Sequence, residues 1–116
     1  ELFQKSMYRV GELWEINEIS VAREHLATTI TESMLSITYP HLFTGLQSAK
    51  KAIISCTANE YHQLGGKMVA DIFELHGWDT HFLGVNTPIN ELLACIDEIK
   101  PDLIGLSLAV YFNVAA

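Results

Sequence analysis

The sequence lacks the features that mark several large classes of protein. Only seven of its 116 residues are lysine or arginine, against 14 aspartates and glutamates, which gives a net charge of -7. This acidic balance argues against nucleic acid or an anionic membrane as a direct partner of the segment. No apolar run approaches the roughly 20 residues of a membrane span, and no basic start before an apolar stretch indicates a signal peptide.

Cysteine is scarce, and the motifs of catalysis are missing. The two cysteines, Cys56 and Cys95, follow no metal-binding or redox spacing, which favours buried, reduced thiols and a cytoplasmic location. The Gly-x-Gly-x-x-Gly fingerprint of dinucleotide binding is absent. A DNA-binding helix-turn-helix and any evident nucleophile–base or acid pair are absent as well. We therefore do not expect catalysis by the chain itself.

Two amphipathic helices are predicted at the start of the chain. Apolar residues recur there at spacings of three and four, as on one face of a helix. Ser20 is a favourable N-cap for the second helix, which should end before Pro40. The sequence thus predicts a helical hairpin over residues 1–40 and a linker over residues 41–50.

Strand and helix patterns alternate through the rest of the chain. Strands are predicted over residues 51–56, 78–83 and 103–110, with helices over 63–76 and from a Thr87 N-cap and Pro88 to Lys100. This alternation predicts a βαβαβ unit with a parallel sheet, which is an α/β fold. Three strands do not complete a doubly wound sheet, and both ends of the sequence interrupt a pattern. We therefore expect a fragment that is truncated at both ends.

A histidine follows the first predicted strand, in the segment Glu60-Tyr61-His62-Gln63-Leu64-Gly65. The carboxyl edge of a parallel sheet is where open α/β folds bind ligands. Glu60 could accept a hydrogen bond from one ring nitrogen and leave the other for a metal. The alternative is a polar loop residue at a helix start, with Gly65 and Gly66 forming a tight connection. The position favours a functional His62 slightly but does not choose its ligand.

A second group of residues lies in the helical hairpin. Trp14 ends the first helix, and Glu24-His25 follows ten residues later on the second. A hairpin could bring these side chains to one surface. Taken alone, the pattern favours a core tryptophan and a solvated Glu-His pair.

Together these segments resemble a known family. Glu60-x-His62-x-x-Gly65 resembles the Asp/Glu-x-His-x-x-Gly signature of cobalamin-binding domains. Trp14 followed by Glu24-His25 resembles the Trp-x9-Glu-His motif of CarH-type, cobalamin-dependent photoreceptors. The resemblance implies a Rossmann-like, flavodoxin-like cobalamin-binding domain over residues 51–116. A partial four-helix-bundle cap over residues 1–40 would precede it.

The resemblance also implies roles for individual residues. His62 would be the lower axial cobalt ligand, in place of the cofactor's dimethylbenzimidazole, whose tail would pass Gly65 toward Ser107. Trp14 would pack over the upper adenosyl group, and Glu24 would hydrogen-bond that group. His25 could bind cobalt once light has removed the adenosyl group. The implied cofactor-binding residues are Trp14, Glu24, His25, Glu60, Tyr61, His62, Gln63, Gly65 and Ser107.

Some family features are missing, and three functions compete. Ser107-Leu108-Ala109 lacks the leucine of the family's Ser-x-Leu motif, and a later Gly-Gly segment and the front half of the cap are absent. We predict a light-responsive, adenosylcobalamin-binding regulatory module, with a second copy or a regulatory protein as a further partner. A corrinoid protein that carries a methyl group, with methylcobalamin, is the alternative. A Rossmann-like interaction domain with an incidental His62 is the third class.

Overall fold

The computed structural model of the chain describes residues 1–38 and 49–109. The chain forms two compact units, Glu1–His41 and Leu42–Ala116. Most of the predicted linker, over residues 41–50, lies outside the described residues, as do Pro40 and Val110.

The first unit is a helical hairpin. Helix α1 spans Leu2–Glu15 and helix α2 spans Val21–Thr38. The turn between them contains Asn17 in the left-handed region, at φ 59°, which asparagine tolerates better than most residues. The hydroxyl of Ser20 accepts a hydrogen bond from the N–H of Arg23 at 3.3 Å. The predicted N-cap of α2 is therefore confirmed.

Helix α2 presents two apolar stripes and buries only one of them. Thr31 and Leu35 are buried, and the Thr31 hydroxyl lies 3.3 Å from Met7 Sδ on α1. The other stripe is exposed and consists of Leu26, Ile30, Met34 and Ile37. Since these four residues recur at helical spacing, α2 has an apolar face in addition to the one that packs on α1.

The second unit is an α/β unit built on one parallel sheet. Its elements are β1 (Lys51–Cys56), α3 (Leu64–Leu75), β2 (Asp79–Phe82), α4 (Ile89–Ile99) and β3 (Leu103–Ser107). The strands are parallel and lie in the order β2-β1-β3. Strand β1 is central, and Ile53 lies opposite His81 on one side and Ile104 on the other. The predicted βαβαβ fold is thus confirmed.

Several of the predicted boundaries are corrected. Pro88, and not Thr87, is the N-cap of α4: its φ of -63° and ψ of 141° are extended, and its carbonyl accepts the N–H groups of Glu91 and Leu92. The Thr87 hydroxyl instead donates to the Gly84 carbonyl at 3.5 Å. Strand β2 begins one residue after the predicted start, because the N–H of Trp78 bonds the Phe73 carbonyl of α3 and pairing with β1 starts at Asp79. Strand β3 ends at Ser107 and not at the predicted Val110, since Leu108 and Ala109 lie outside the strand and the Ala109 N–H bonds Glu60 Oε2.

The strand order defines where a ligand is expected. The chain passes from β1 to β2 on one side and returns past β1 to β3 on the other. In open α/β sheets this reversal creates a crevice at the carboxyl ends of the strands. The loops that follow β1, β2 and β3 therefore converge at this edge.

Shortening a side chain at the centre of β1 should cost much of the stability of the second unit. Ile53 is fully buried, whereas its neighbour Ile104 on β3 is 45% exposed. We expect Ile53→Ala to lower the free energy of unfolding by about 2–5 kcal/mol, and Ile104→Ala by less than half of that. Urea denaturation measures both values, and equal losses would contradict this description of the core.

Candidate functional site

A buried carboxylate organises the loop that follows β1. Glu60 is fully buried, and its Oε1 accepts the backbone N–H of His62 at 3.0 Å and lies 2.7 Å from His62 Nδ1. Its Oε2 accepts the N–H of Ala109, just beyond β3, at 2.7 Å. A charge removed from water requires such partners, and here they come from two different loops.

The contact with Glu60 determines how His62 can act. When Glu60 is ionised, its carboxylate only accepts hydrogen bonds, and Nδ1 of His62 then carries the proton in this pair. The Nε2 atom then has the lone pair that a metal requires. The side chain of His62 is 66% exposed while that of Glu60 is inaccessible. The imidazole of His62 is therefore anchored to Glu60 through Nδ1, and Nε2 is left for a ligand.

Cys56 lies beneath this loop and is inert. Its thiol is buried and donates to the His62 carbonyl at 3.6 Å. Burial raises the pKa of the Cys56 thiol, the charge of Glu60 raises it further, and a hydrogen bond with Ser107 lowers it. The neutral thiol is thus favoured, and the prediction of a buried thiol is confirmed for Cys56. Cys95, which was predicted to be buried as well, is only partly buried.

A cleft of about 240 Å³ opens beside the loop, between α3 and β3. It is lined by Ile54, Gly65, Gly66, Val69, Gly105, Leu106 and Ser107. A Cβ atom added at Gly66 would lie 3.1 Å from Ser107 Cβ, whereas one added at Gly65 would meet nothing within 4 Å. Gly66 therefore allows α3 to approach β3, and the missing side chain of Gly65 leaves open space in the cleft.

Sequence reasoning missed four of the residues that line this cleft, namely Ile54, Val69, Gly105 and Leu106. Sequence spacing could have indicated two of these four residues. Gly105 precedes Ser107 by two residues and therefore shares its face of β3, and Val69 follows Gly65 by four and shares its face of α3. The contact of Gly105 with Ile54, where an added Cβ would lie 2.6 Å from Ile54 Cδ1, depends on strand register.

The remaining predicted residues of this unit lie at the same edge of the sheet. Tyr61 is 66% exposed. Gln63 is the N-cap residue of α3, and its Oε1 would be 3.7 Å from a Cβ at Gly84. The structure therefore brings together Glu60, His62, Gln63, Gly65 and Ser107 around the ends of β1 and β3.

The predicted residues of the first unit include a second carboxylate–imidazole pair. His25 Nδ1 lies 2.6 Å from Glu24 Oε2, and the hydroxyl of Thr28 donates to Glu24 Oε1 at 3.0 Å. The side chain of His25 is exposed. Trp14 is 46% exposed and so does not occupy a core position in the hairpin. This differs from the packing role that its sequence context alone favoured.

The class of the protein follows from family comparison. One family, described as the B12 binding domain, matches residues 50–115, and a second of the same description matches residues 1–39. The chain belongs to the B12-binding, that is cobalamin-binding, domain family.

Among the residues that the structure describes, no helix is long and apolar enough to cross a membrane.

Individual relatives include two transcriptional repressors. The HTH-type transcriptional repressor CarA of Myxococcus xanthus is 31% identical over 77% of this chain and 31% of its own length. The HTH-type transcriptional repressor CarH of the same organism is 29% identical over 84% of this chain and 32% of its own length. The chain thus spans about a third of these repressors.

A solved structure shares the fold. The monomethylamine corrinoid protein of Methanosarcina barkeri matches 97% of this chain and 54% of its own chain, with a TM-score of 0.84 and 17% identity. At this identity the likeness establishes the fold alone. It agrees with the predicted Rossmann-like, parallel-sheet architecture.

Adding a methyl group to the two neighbouring glycines of α3 should have different effects. Replacing a helical glycine by alanine stabilises a helix by about 1 kcal/mol, and Gly65 has room for the added group. Gly66→Ala must displace Ser107 on β3. We expect urea denaturation to show Gly65→Ala as at least 1 kcal/mol more stable than Gly66→Ala. An equal gain in both variants would contradict the proposed close approach of α3 to β3.

Proposed function

We propose that this chain is a regulatory module that binds adenosylcobalamin with His62 as the lower axial ligand of cobalt. The observation that carries the proposal is the Glu60–His62 pair at the carboxyl edge of the sheet, next to a glycine-lined cleft. Glu60 fixes Nδ1 as the protonated nitrogen, so Nε2 is the donor toward the metal.

A single histidine as the protein ligand fits a metal that is already coordinated by a macrocycle. Within residues 1–38 and 49–109, no group of three or more His, Cys, Asp or Glu side chains is arranged to hold a metal ion. A corrin already supplies the equatorial nitrogens, so one axial imidazole from the protein is sufficient. The apolar cleft between Gly65 and Ser107 is suited to part of the displaced nucleotide tail.

Residues 1–40 are proposed to be the cap, with 41–50 as linker and 51–116 as the cobalamin-binding domain. Bound adenosylcobalamin would supply a cobalt–carbon bond that light can break. Trp14 is half exposed and so available to pack against the adenosyl group. Glu24 holds His25 through Nδ1, as Glu60 holds His62. His25 therefore has the chemistry required of an upper ligand after illumination.

The relatives support a regulatory role, and we propose no catalysis by the chain itself. The repressors that it resembles are named as transcriptional regulators. We propose that the output acts through a second copy or a regulatory protein, with no direct nucleic-acid contact by this acidic segment, in the cytoplasm. Adenosylcobalamin loss would then shift a two-state equilibrium of the module.

A corrinoid methyl carrier is the second candidate. The observation in its favour is the fold shared with the monomethylamine corrinoid protein. The Glu60–His62 pair fits both functions, since both need a histidine on cobalt. The Trp14 and Glu24-His25 group favours the sensor, because a methyl group offers no large upper surface for a tryptophan.

Removing the proposed cobalt ligand should change the visible spectrum of bound cobalamin. We expect His62→Ala to lose the histidine-ligated spectrum and to weaken binding by more than the 10–100-fold typical of losing an outer-shell partner. His76→Ala is the matched control, since His76 Nδ1 bonds the Ile72 carbonyl of its own helix at 2.8 Å. An unchanged spectrum with unchanged retention in His62→Ala would exclude His62 as the ligand.

Shortening Trp14 should separate the two candidate functions. If Trp14 packs on the adenosyl group, Trp14→Ala should weaken binding of adenosylcobalamin more than that of methylcobalamin, because only the former loses a large apolar contact. Equilibrium binding followed by absorption measures both affinities in the dark, with Trp78→Ala in the second unit as control. Equal losses for the two cobalamins would favour a general packing role.

A further inference from the structure

The loop that bears His62 is held by the loop that follows β2. The side-chain Oδ1 of Asn86 accepts the backbone N–H of Asn59 at 2.9 Å. The backbone N–H of the same Asn86 donates to the carbonyl of Glu60 at 2.9 Å. One residue thus bonds the backbone of two successive residues of the loop that follows β1.

Both asparagines adopt a backbone conformation that few residues accept. Asn59 has φ 65° and Asn86 has φ 47°. Asparagine enters this left-handed region more readily than residues with larger or branched side chains. The left-handed turn at Asn86 presents its N–H and its side-chain amide to the same neighbouring loop.

This contact fixes the residue that orients the imidazole. The N–H of Glu60 donates to the Thr57 carbonyl at 3.0 Å, and its carbonyl accepts from Asn86. Because both the N–H and the carbonyl of Glu60 are bonded, its buried carboxylate is held where it meets His62 Nδ1. These two bonds of Asn86 are made to Asn59 and Glu60, and Asn86 is not among the residues that line the cleft.

We propose that Asn86 is a positioning residue, which holds Asn59 and Glu60 so that His62 Nε2 is directed toward cobalt. The inference rests on the proposed His62 ligation and deepens it. Asn86 acts through Glu60, in the way that outer-shell partners orient metal-binding histidines. A loop without this contact would still carry His62 but would sample more than one ring direction.

Three variants of the full chain test the inference. Asn86→Gly keeps a residue that accepts positive φ but removes the amide, and Asn86→Asp keeps the Oδ1 acceptor. Lys100→Gly is the matched control, because Lys100 also has a left-handed φ, of 53°, at the opposite edge of the same sheet. It reports the effect of glycine at such a position without touching the His62 loop.

The first measurement needs no cofactor. Amide hydrogen exchange followed by NMR reports the N–H groups of Asn59 and His62 in the cobalamin-free chain. We expect faster exchange at both in Asn86→Gly, and near wild-type exchange in Asn86→Asp and Lys100→Gly. Unchanged exchange in Asn86→Gly would overturn the inference, whatever the chain binds.

The second measurement uses bound cobalamin. We expect Asn86→Gly to lower the histidine-ligated fraction of the visible spectrum and to speed cobalamin release by about 10-fold, with recovery in Asn86→Asp. If wild type is histidine-ligated and Asn86→Gly matches it, the positioning role is wrong and the proposed function stands. If wild type and His62→Ala have the same spectrum, the proposed function fails, and the exchange data alone decide whether Asn86 holds the loop.

Discussion

The hydrogen bonds of one buried carboxylate determine the geometry of the candidate site. Glu60 has no access to water, so each of its oxygens needs a donor from the protein. The donors are the His62 peptide and ring on one side and the Ala109 peptide on the other. The same bonds also join the β1 and β3 loops and, with Glu60 ionised, place the proton of His62 on Nδ1. Stability and ligand geometry therefore have a common origin here.

The rest of the second unit brings these groups together. The central β1 is buried along most of its length and delivers Glu60 at the carboxyl edge, where the order β2-β1-β3 opens a crevice. Gly66 lets α3 approach β3, and Gly65 leaves the crevice open. In the hairpin, Glu24 and His25 repeat the carboxylate–imidazole contact on a single helix. Each unit thus carries an exposed imidazole whose inner nitrogen is already engaged.

Local patterns predicted most of this fold, because they depend on residues close in sequence. The apolar run of β1 and the Ser20 cap follow from such patterns and match the structure. The N-cap of α4 was missed because the Thr87 hydroxyl bonds Gly84 instead of the helix. The role of Asn86 could not be predicted, since its partner Asn59 lies 27 residues away. The pairing of Glu60 with His62 was foreseen from their spacing, but its bond to Ala109 spans 49 residues and requires the sheet.

The most direct test of the account is electron paramagnetic resonance of the bound cobalt(II) form of cobalamin, with ¹⁵N-labelled histidine in the protein. A single axial nitrogen splits each cobalt line, into three components for ¹⁴N and into two for ¹⁵N. The account predicts that labelling converts the three-line pattern to two lines, and that His62→Ala abolishes the change. A three-line pattern that persists in the labelled protein would mean that the cofactor's own dimethylbenzimidazole binds cobalt. It would contradict the central role of the Glu60–His62 pair.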